Sequence, residues 1–399
     1  MRGDGILPRT LTAARPPRRS AAAAAAAAER SALAKPLRVA VVGLGIGRSH
    51  VRALRAPPAV DEEPGVPPLE VVALCDRDAR RLCAVGDEFG VAARYRDFAR
   101  LLAAERPDAV VIATPNDLHA PMGIAALEAG CHVLIEKPLA HTLAAAEELA
   151  AAGRRHRRQR VMLDLSYRFG AAARTVKEWL ASGRCGPLYH ANTYWCRTRG
   201  LPPPGSWLAQ RRRAGGGAVT SLGVHRIDLA LWFMGDPEVE SVAAVQHGAL
   251  GKVLQGKALA GKRRGARFDV EEFGGGLLRC AGGRAVVFES SWAENSGRRE
   301  IMLTRVLGVR GGAIHRNLDH GEEFVAELHA DRNGTLVTPD PAPWRRGARS
   351  PVREFARSIA RPDPSLPDLA TGVKLQRILA AIDRSAREGR EVALAERDG

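Results

Sequence analysis

The chain has 399 residues, 45% of them apolar and 26% charged, and this composition excludes a collagen, a small disulfide scaffold and a wholly disordered chain. At about 150 residues per domain, the length predicts two or three domains. The net charge of +16 is spread along the chain, so we predict no nucleic-acid partner, and the apolar runs are too short for a membrane span, which needs about 20 residues.

Residues 1–35 differ from the rest because they are rich in Arg, Pro and Ala and contain no aromatic residue. We predict a disordered extension or a misassigned start in this segment. A targeting signal is the alternative, since Arg18 and Arg19 precede a polyalanine run, as in some export signals. The six cysteines are scattered without a C-x-x-C pair, which predicts no metal site and is typical of a reducing compartment such as the cytoplasm.

The first predicted strand, 37–42, runs into a glycine-rich turn and then into a helix. The turn contains Gly43, Gly45, Ile46 and Gly47. Glycines let a pyrophosphate approach the backbone closely, and the N-terminus of the next helix offers unpaired N–H groups. This order of elements predicts a dinucleotide site, with a plain tight turn as the alternative.

The second predicted strand, 69–75, leads directly into Asp76. An acidic residue at this place accepts hydrogen bonds from the ribose hydroxyls of NAD. Its charge would repel the 2′-phosphate of NADP, so we predict that NAD is preferred, while Arg77 next to it leaves NADP use open. The alternative for Asp76 is a helix N-cap.

Two further strands, 109–114 and 132–135, alternate with helical segments and predict a parallel sheet with ligands at its carboxyl edge. The residues that follow these strands complete the predicted cofactor site: Thr114, Pro115, Asn116, His119, Glu136 and Lys137.

Two of these segments, A-T-P-N-x-x-H at 113–119 and E-K-P at 136–138, resemble the Gfo/Idh/MocA oxidoreductases. The resemblance implies an α/β protein with an N-terminal Rossmann domain at 36–158. It also implies a C-terminal substrate-binding and oligomerisation domain at 159–396 with an open, largely antiparallel sheet; helices at 351–388 are expected either there or packed on the first domain. Lys137 is implied to lie beside the nicotinamide, where a cation stabilises a developing alkoxide.

The segment from Ser221 to Asp228 opens a predicted helix, and its spacing places Ser221, His225 and Asp228 on one face. The family pattern is D-x-G-x-H-x-x-D, so the resemblance implies that His225 is the general acid/base. Histidine suits proton transfer because its unperturbed pKa is about 6.5. The alternative is a helix-face histidine whose hydrogen bonds are satisfied.

Ser221 departs from the family pattern, which has Asp at this position. A serine hydroxyl cannot stabilise an imidazolium by charge, and Asp164, Asp228 and Glu271 are the candidates for a compensating carboxylate. Capping of the helix N-terminus is the alternative for the Ser221 hydroxyl. We expect Ser221→Asp to raise turnover if dehydrogenation is the native reaction.

The substrate is predicted to be polyhydroxylated, because the segments 197–207 and 268–273 resemble a sugar-handling branch of the family. The guanidinium group of arginine can donate hydrogen bonds to hydroxyl groups, and aromatic rings can pack against the faces of sugars. The predicted substrate residues are Arg168, Trp207, Ser221, His225 and Asp228.

Together these features predict an NAD-dependent oxidoreductase that transfers a hydride between a nicotinamide cofactor and a secondary hydroxyl of a sugar or cyclitol. Two alternatives stay open: a glycosidase or epimerase that recycles a tightly held NAD, and a non-catalytic sensor of sugars or nucleotides. We expect a cytoplasmic homodimer or homotetramer without a metal, a membrane or a nucleic acid as partner.

Overall fold

The computed structural model describes residues 35–57, 65–203, 205–259, 268–297, 299–318, 321 and 323–394. The predicted N-terminal extension therefore lies outside the described residues, apart from Lys35. No helix in the described part of the chain is both long and apolar enough to cross a bilayer.

Six parallel strands form the first sheet, in the order β3-β2-β1-β4-β5-β6. The strands are β1 (Leu37–Val42), β2 (Leu69–Cys75), β3 (Arg94–Tyr95), β4 (Ala109–Ile112), β5 (His132–Glu136) and β6 (Val161–Asp164). The intervening helices are α1 (Gly47–Arg55), α2 (Ala79–Phe89), α3 (Phe98–Glu105), α4 (His119–Glu128) and α5 (Leu143–Arg155). The strands that precede β4 lie on one side of the sheet and the later strands on the other, so the strand order switches between β1 and β4. Sheets of this kind bind ligands at this switch point. The predicted Rossmann-type domain is confirmed.

The sixth strand belongs to the first sheet. Our predicted boundary assigned residues from 159 onward to the second domain, but Val161–Asp164 is a strand of the first sheet, and Ser166–Phe169 form a 3-10 helix. This strand pairs with β5, so that Val161 lies opposite Val133 and Asp164 lies opposite Glu136. Because this pairing completes the parallel sheet, the first sheet ends after Asp164 rather than before residue 159.

Nine strands form the second sheet, in the order β14-β13-β12-β11-β7-β10-β9-β8-β15. They are β7 (Leu188–Arg197), β8 (Val239–His247), β9 (Phe273–Cys280), β10 (Arg284–Ser291), β11 (Glu300–Gly308), β12 (Gly311–Asn317), β13 (Phe324–Arg332), β14 (Thr335–Val337) and β15 (Val392–Ala393). Every pair is antiparallel except β7 with β10. The predicted open and largely antiparallel sheet is confirmed.

Six further helices are described after β6, and several of them pack on the second sheet. They are α6 (Ala171–Ala181), α7 (Arg211–Ala214), α8 (Val224–Phe233), α9 (Ala249–Leu259), α10 (Pro351–Ala360) and α11 (Leu369–Glu388). The long helix α11 packs on both α5 and β8, and α10 packs on α1. The C-terminal helices therefore contact both sheets, and the carboxyl edge of the first sheet faces the start of α8.

Candidate active site

The glycine turn after β1 has the shape that a dinucleotide needs. Gly43 has φ +84°, and a Cβ there would lie 2.4 Å from the carbonyl oxygen of Ala113, so only glycine fits against the loop after β4. At the tip of the turn Gly45 and Ile46 are exposed, and no atom lies within 4 Å of where a Gly45 Cβ would stand. The turn thus leaves open space directly before Gly47, the first residue of α1, where helix N–H groups favour an anion.

Asp76 joins the end of β2 to this turn. Its Oδ2 accepts a hydrogen bond from the backbone N–H of Leu44 at 2.7 Å, and its Oδ1 accepts one from the N–H of Asp78 at 2.8 Å. Arg81 lies 3.4 Å from Oδ2, while Arg77 is exposed. The predicted helix cap is instead Asp78, which accepts bonds from the first turn of α2. Asp76 therefore uses part of its hydrogen-bonding capacity on the protein backbone, and its contact with a ribose stays a prediction.

We expect Asp76→Asn to raise the Kd for NADH about tenfold, because a hydrogen bond to a charged acceptor contributes about 1.5 kcal/mol or more. The preference for NADH over NADPH should narrow, since the carboxylate that repels the 2′-phosphate is lost. Calorimetric titrations with both cofactors measure these changes. Asp108→Asn is the matched control, because Asp108 lies at the amino edge of the same sheet, where it accepts the N–H of Arg38. An unchanged Kd in Asp76→Asn would remove Asp76 from the ribose site.

Two predicted cofactor residues in the loop after β4 bond to other parts of the protein. Asn116 is buried, and its Nδ2 donates a hydrogen bond to the carbonyl of Ala214 in the second domain at 2.8 Å. The ring nitrogens of His119 lie 2.8 Å from the carbonyl of Pro138 and 2.9 Å from that of Thr114. Burial lowers the pKa of His119. These contacts hold the loop against its neighbours, and a direct contact of either residue with a cofactor stays a prediction.

Thr114 and Pro115 line the same edge and are half-buried. The Thr114 hydroxyl oxygen is buried and has no hydrogen-bond partner among the described residues. A buried polar atom without a partner costs free energy, so this hydroxyl fits a site that a bound group completes.

Lys137 follows β5 and reaches across to the second domain. Its Nζ donates a hydrogen bond to the carbonyl oxygen of Ser221 at 2.7 Å. Burial lowers the pKa of Lys137, whereas the nearby charges of Glu136 and Asp164 raise it and that of Arg197 lowers it. The structure therefore brings the predicted catalytic lysine to the beginning of the helix that carries His225.

A wider π turn at Val219–Gly223 leads into α8 and contains Ser221. Single π turns inside helices are common at functional sites. The Ser221 hydroxyl is 3.5 Å from the carbonyl of Ala218 and caps no helix N–H. The alternative that Ser221 is a helix cap is therefore wrong; its backbone carbonyl, rather than its side chain, meets Lys137.

His225 is nearly fully buried, in the first turn of α8. Its ring lies edge-on to Tyr167 at 4.9 Å between centroids and 5.8 Å from Trp195. Nδ1 is buried and has no partner among the described residues. Burial, together with the positive charges of Lys137 and Arg226, holds the pKa of His225 well below its usual value. The imidazole is therefore neutral at pH 7 and able to accept a proton.

Arg168 and Asp228, both predicted to contact the substrate, are bound to each other. Two parallel hydrogen bonds join them, at 2.8 Å from Nε to Oδ2 and 2.5 Å from Nη2 to Oδ1. Both side chains are buried. A buried bidentate pair of this kind orients the helix on which it lies, so the pair holds α8 against the segment that follows β6. Contact of either residue with a substrate stays a prediction.

Trp207, the remaining predicted substrate residue, lies half-buried in the 3-10 helix Trp207–Ala209. The arginines of the preceding loop have partners of their own: Arg197 pairs with Glu300, and Arg199 bonds to Asn295.

Several residues around Lys137 and His225 were not predicted as site residues. Tyr167 and Trp195 form the walls beside His225. Arg226 is fully buried over the Tyr167 ring, 4.7 Å from its centroid, and burial lowers its pKa to about 10. His50 contacts Glu136 from α1. Trp195 belongs to β7, in which buried and less buried residues alternate. This alternation was the sequence signal available for a site residue there, and it also fits an ordinary core.

Comparison with known proteins finds a family match for each of the two parts of the chain. Residues 37–164 match the sequence model described as the oxidoreductase family with an NAD-binding Rossmann fold, and residues 173–314 match the GFO/IDH/MocA C-terminal domain. The D-glucoside 3-dehydrogenase of Escherichia coli is 29% identical over 364 residues, which are 90% of this chain and 98% of that protein.

A second relative is the putative UDP-kanosamine synthase oxidoreductase subunit of Amycolatopsis mediterranei, 32% identical over 319 residues, or 78% of this chain and 84% of that protein. Among solved structures, levoglucosan dehydrogenase in complex with NADH and L-sorbose shares the fold with a TM-score of 0.77 and 23% identity over 90% of this chain and 99% of that chain. The chain belongs to the Gfo/Idh/MocA family of oxidoreductases, whose N-terminal Rossmann domain binds NAD.

Proposed function

We propose that the protein oxidises a secondary hydroxyl group of a sugar or cyclitol with NAD as the hydride acceptor. One observation carries this proposal: Lys137 Nζ donates a hydrogen bond to the carbonyl of Ser221, one helical turn before His225, and its charge acts on the neutral imidazole. The names of several relatives, among them D-glucoside 3-dehydrogenase and levoglucosan dehydrogenase, support this substrate class.

Lys137 and His225 have different roles in the proposed reaction. Lys137 donates a hydrogen bond to the substrate oxygen and stabilises the negative charge that develops there as the C–H bond breaks. His225 accepts the hydroxyl proton as general base. The bound NAD supplies the acceptor for the hydride.

The chain's own residues fit the cofactor at three points. The turn at 43–47 leaves open space that supports a pyrophosphate there, the position of Asp76 beside this turn supports a contact with the ribose, and the Thr114 hydroxyl has no partner among the described residues. The same arrangement supports NAD over NADP, because the negative charge of Asp76 would repel the 2′-phosphate of NADP.

The test is a screen of sugars and cyclitols for NAD reduction, followed by the absorbance of NADH, on protein whose NADH binding has first been measured by calorimetry. Reduction of NAD by at least one polyol supports the proposal. NADH binding and sugar binding without turnover would instead favour a sensor. Product formation without net NADH, from protein that releases NAD on denaturation, would favour a cofactor-recycling enzyme.

We further propose that the protein forms a homodimer or homotetramer through the second sheet and acts in the cytoplasm. Light scattering of the purified chain tests the first statement, and fractionation of the source cells tests the second.

A further inference from the structure

Glu271 contacts the beginning of the helical segment that carries His225, although it lies elsewhere in the chain, just before β9. Its side chain is only 2% exposed. The Glu271 Oε1 accepts hydrogen bonds from the N–H of Gly217 at 2.7 Å and the N–H of Val219 at 3.3 Å. Its backbone carbonyl accepts the N–H of Ala218 at 3.1 Å. Three successive N–H groups therefore donate to this one residue.

These N–H groups need acceptors from outside their own segment. The first N–H groups of a helix have no partner within the helix, and Ala218, which precedes the π turn, offers no capping side chain. Glu271 supplies the missing acceptors from the loop before β9. The position at which the π turn begins is therefore fixed by Glu271.

The glycines at 215–217 allow two other loops to approach this point. A Cβ on Gly217 would overlap the carbonyl oxygen of Glu271, and a Cβ on Gly215 would overlap the carbonyl oxygen of His141. His141 lies four residues after Lys137 in the loop that follows β5. The loops that carry Lys137 and Glu271 therefore both contact the chain directly before the π turn.

A series of hydrogen bonds leads from Glu271 to Lys137. The Glu271 Oε1 accepts the N–H of Gly217. The carbonyl of Gly217 accepts the N–H of Ser221 at 2.9 Å. The carbonyl of Ser221 in turn accepts the bond from Lys137 Nζ at 2.7 Å. The group that meets Lys137 is therefore held, through one short stretch of backbone, by Glu271.

Glu271 is itself held on its other side. The Arg211 Nη2 lies 3.6 Å from Oε2, and the Arg211 Nη1 lies 2.6 Å from Asp383 on α11. Burial raises the pKa of Glu271, whereas its hydrogen bonds from backbone N–H groups and the charge of Arg211 lower it. Because Oε1 can accept hydrogen bonds in either protonation state, its contact with the π turn does not depend on titration.

The contacts of Glu271 also distinguish it from the other carboxylates that the sequence offered in place of the family aspartate. Asp228 pairs with Arg168, and Asp164 lies 3.7 Å from His50. Glu271 alone among the three accepts hydrogen bonds from the backbone that leads into the π turn. Its contribution is therefore to the geometry of this turn.

We propose that Glu271 is a positioning residue for the proposed reaction, which holds the π turn so that the carbonyl of Ser221 meets Lys137. Glu271 acts through the backbone of Gly217 and Val219, not on a reacting atom. This inference rests on the proposed function, because it concerns the same reaction.

A double-mutant cycle in the full chain tests the proposal. We compare Glu271→Ala, Lys137→Met and the double variant Glu271→Ala/Lys137→Met. Glu271→Asp keeps the charge but shortens the reach to the N–H groups, and serves if the alanine variant does not fold, which thermal unfolding will report. Glu271→Gln keeps the length and an acceptor oxygen. Asp97→Ala is the control, because Asp97 caps α3 through the N–H of Arg100.

We expect Glu271→Ala to lower kcat by about 10²-fold, as a small displacement of a catalytic group can, while the Kd for NADH stays unchanged. Glu271→Asp should change kcat in the same direction, Glu271→Gln should restore most of the activity, and Asp97→Ala should keep the wild-type kcat. In the Lys137→Met background Glu271→Ala should have little further effect, because residues that act through one contact are not additive. Equal losses in both backgrounds overturn the proposal, as does a wild-type kcat in both Glu271→Ala and Glu271→Asp.

Hydrogen exchange followed by mass spectrometry tests the contact itself and needs no turnover. The amides of residues 217–219 should exchange about tenfold faster in Glu271→Ala, as expected for loss of a helix cap. Glu272→Ala is the local control, because Glu272 accepts the N–H of Leu250 at 3.0 Å and should leave residues 217–219 protected. Unchanged exchange of these amides in Glu271→Ala overturns the proposal. Faster exchange in an enzyme that oxidises no polyol would refute the proposed function alone.

Discussion

Replacing Lys137 by methionine is expected to lower kcat/KM by about 10³-fold with little change in the Kd for NADH. Methionine keeps much of the length of the side chain but removes the ammonium group that bonds to Ser221 and that stabilises the developing alkoxide. Loss of one such group from a buried site costs a factor of about 10² to 10³. Rates of NADH formation with the best polyol from the screen, together with calorimetry, measure both quantities.

Lys374→Met is the control for this variant. Lys374 also carries several hydrogen bonds, to Asp236 and to the carbonyl of Pro237, but it lies on α11 and its partners follow the end of α8. If Lys137→Met retained more than about a tenth of the wild-type kcat/KM, Lys137 would be a structural residue and the mechanism above would be wrong.

Replacing His225 by glutamine should lower kcat by a factor of about 10² to 10⁴, the usual contribution of a positioned general base. It should also change the pH profile. Burial and the charges of Lys137 and Arg226 hold the pKa of His225 well below its usual value. The wild type should therefore lose activity only when the pH falls below about 6.5, the ordinary value for histidine, as His225 becomes protonated.

The acid limb of the profile should disappear in His225→Gln, because glutamine does not titrate. His132→Gln is the matched control, since His132 begins β5 at the opposite edge of the sheet, where its ring accepts a hydrogen bond from the backbone of Arg160. An acid limb that persists unchanged in His225→Gln would assign the base to another group.

At position 221 this chain has serine where the family pattern has aspartate, and the group that meets Lys137 there is the backbone carbonyl of a π turn. A carboxylate at this position would place a charge near the lysine. The expectation that Ser221→Asp raises turnover if dehydrogenation is the native reaction therefore stays a prediction.

The sequence by itself determined the α/β class, the parallel first sheet and the edge at which the cofactor site lies. These are local properties: β1 and β4 are apolar because they are buried on both faces, and the residues that follow parallel strands share one edge. Gly43, Asp76 and Lys137 could be placed in this way without knowing any contact. The helix period predicted Ser221 and His225 on one face, whereas Ser221 lies in the π turn before α8.

Only the tertiary structure decided which side chains meet. Lys137 bonds to a residue 84 positions away, and Arg168 to one 60 positions away. The pairing of Glu136 with Asp164 depends on the register of β5 against β6. Periodicity specifies the faces of a single element, but contacts between elements depend on register and packing, and the burial that shifts pKa values depends on all neighbours together. For that reason Lys137 and His225 could be proposed as site residues from the sequence, whereas the contacts that each of them makes could not.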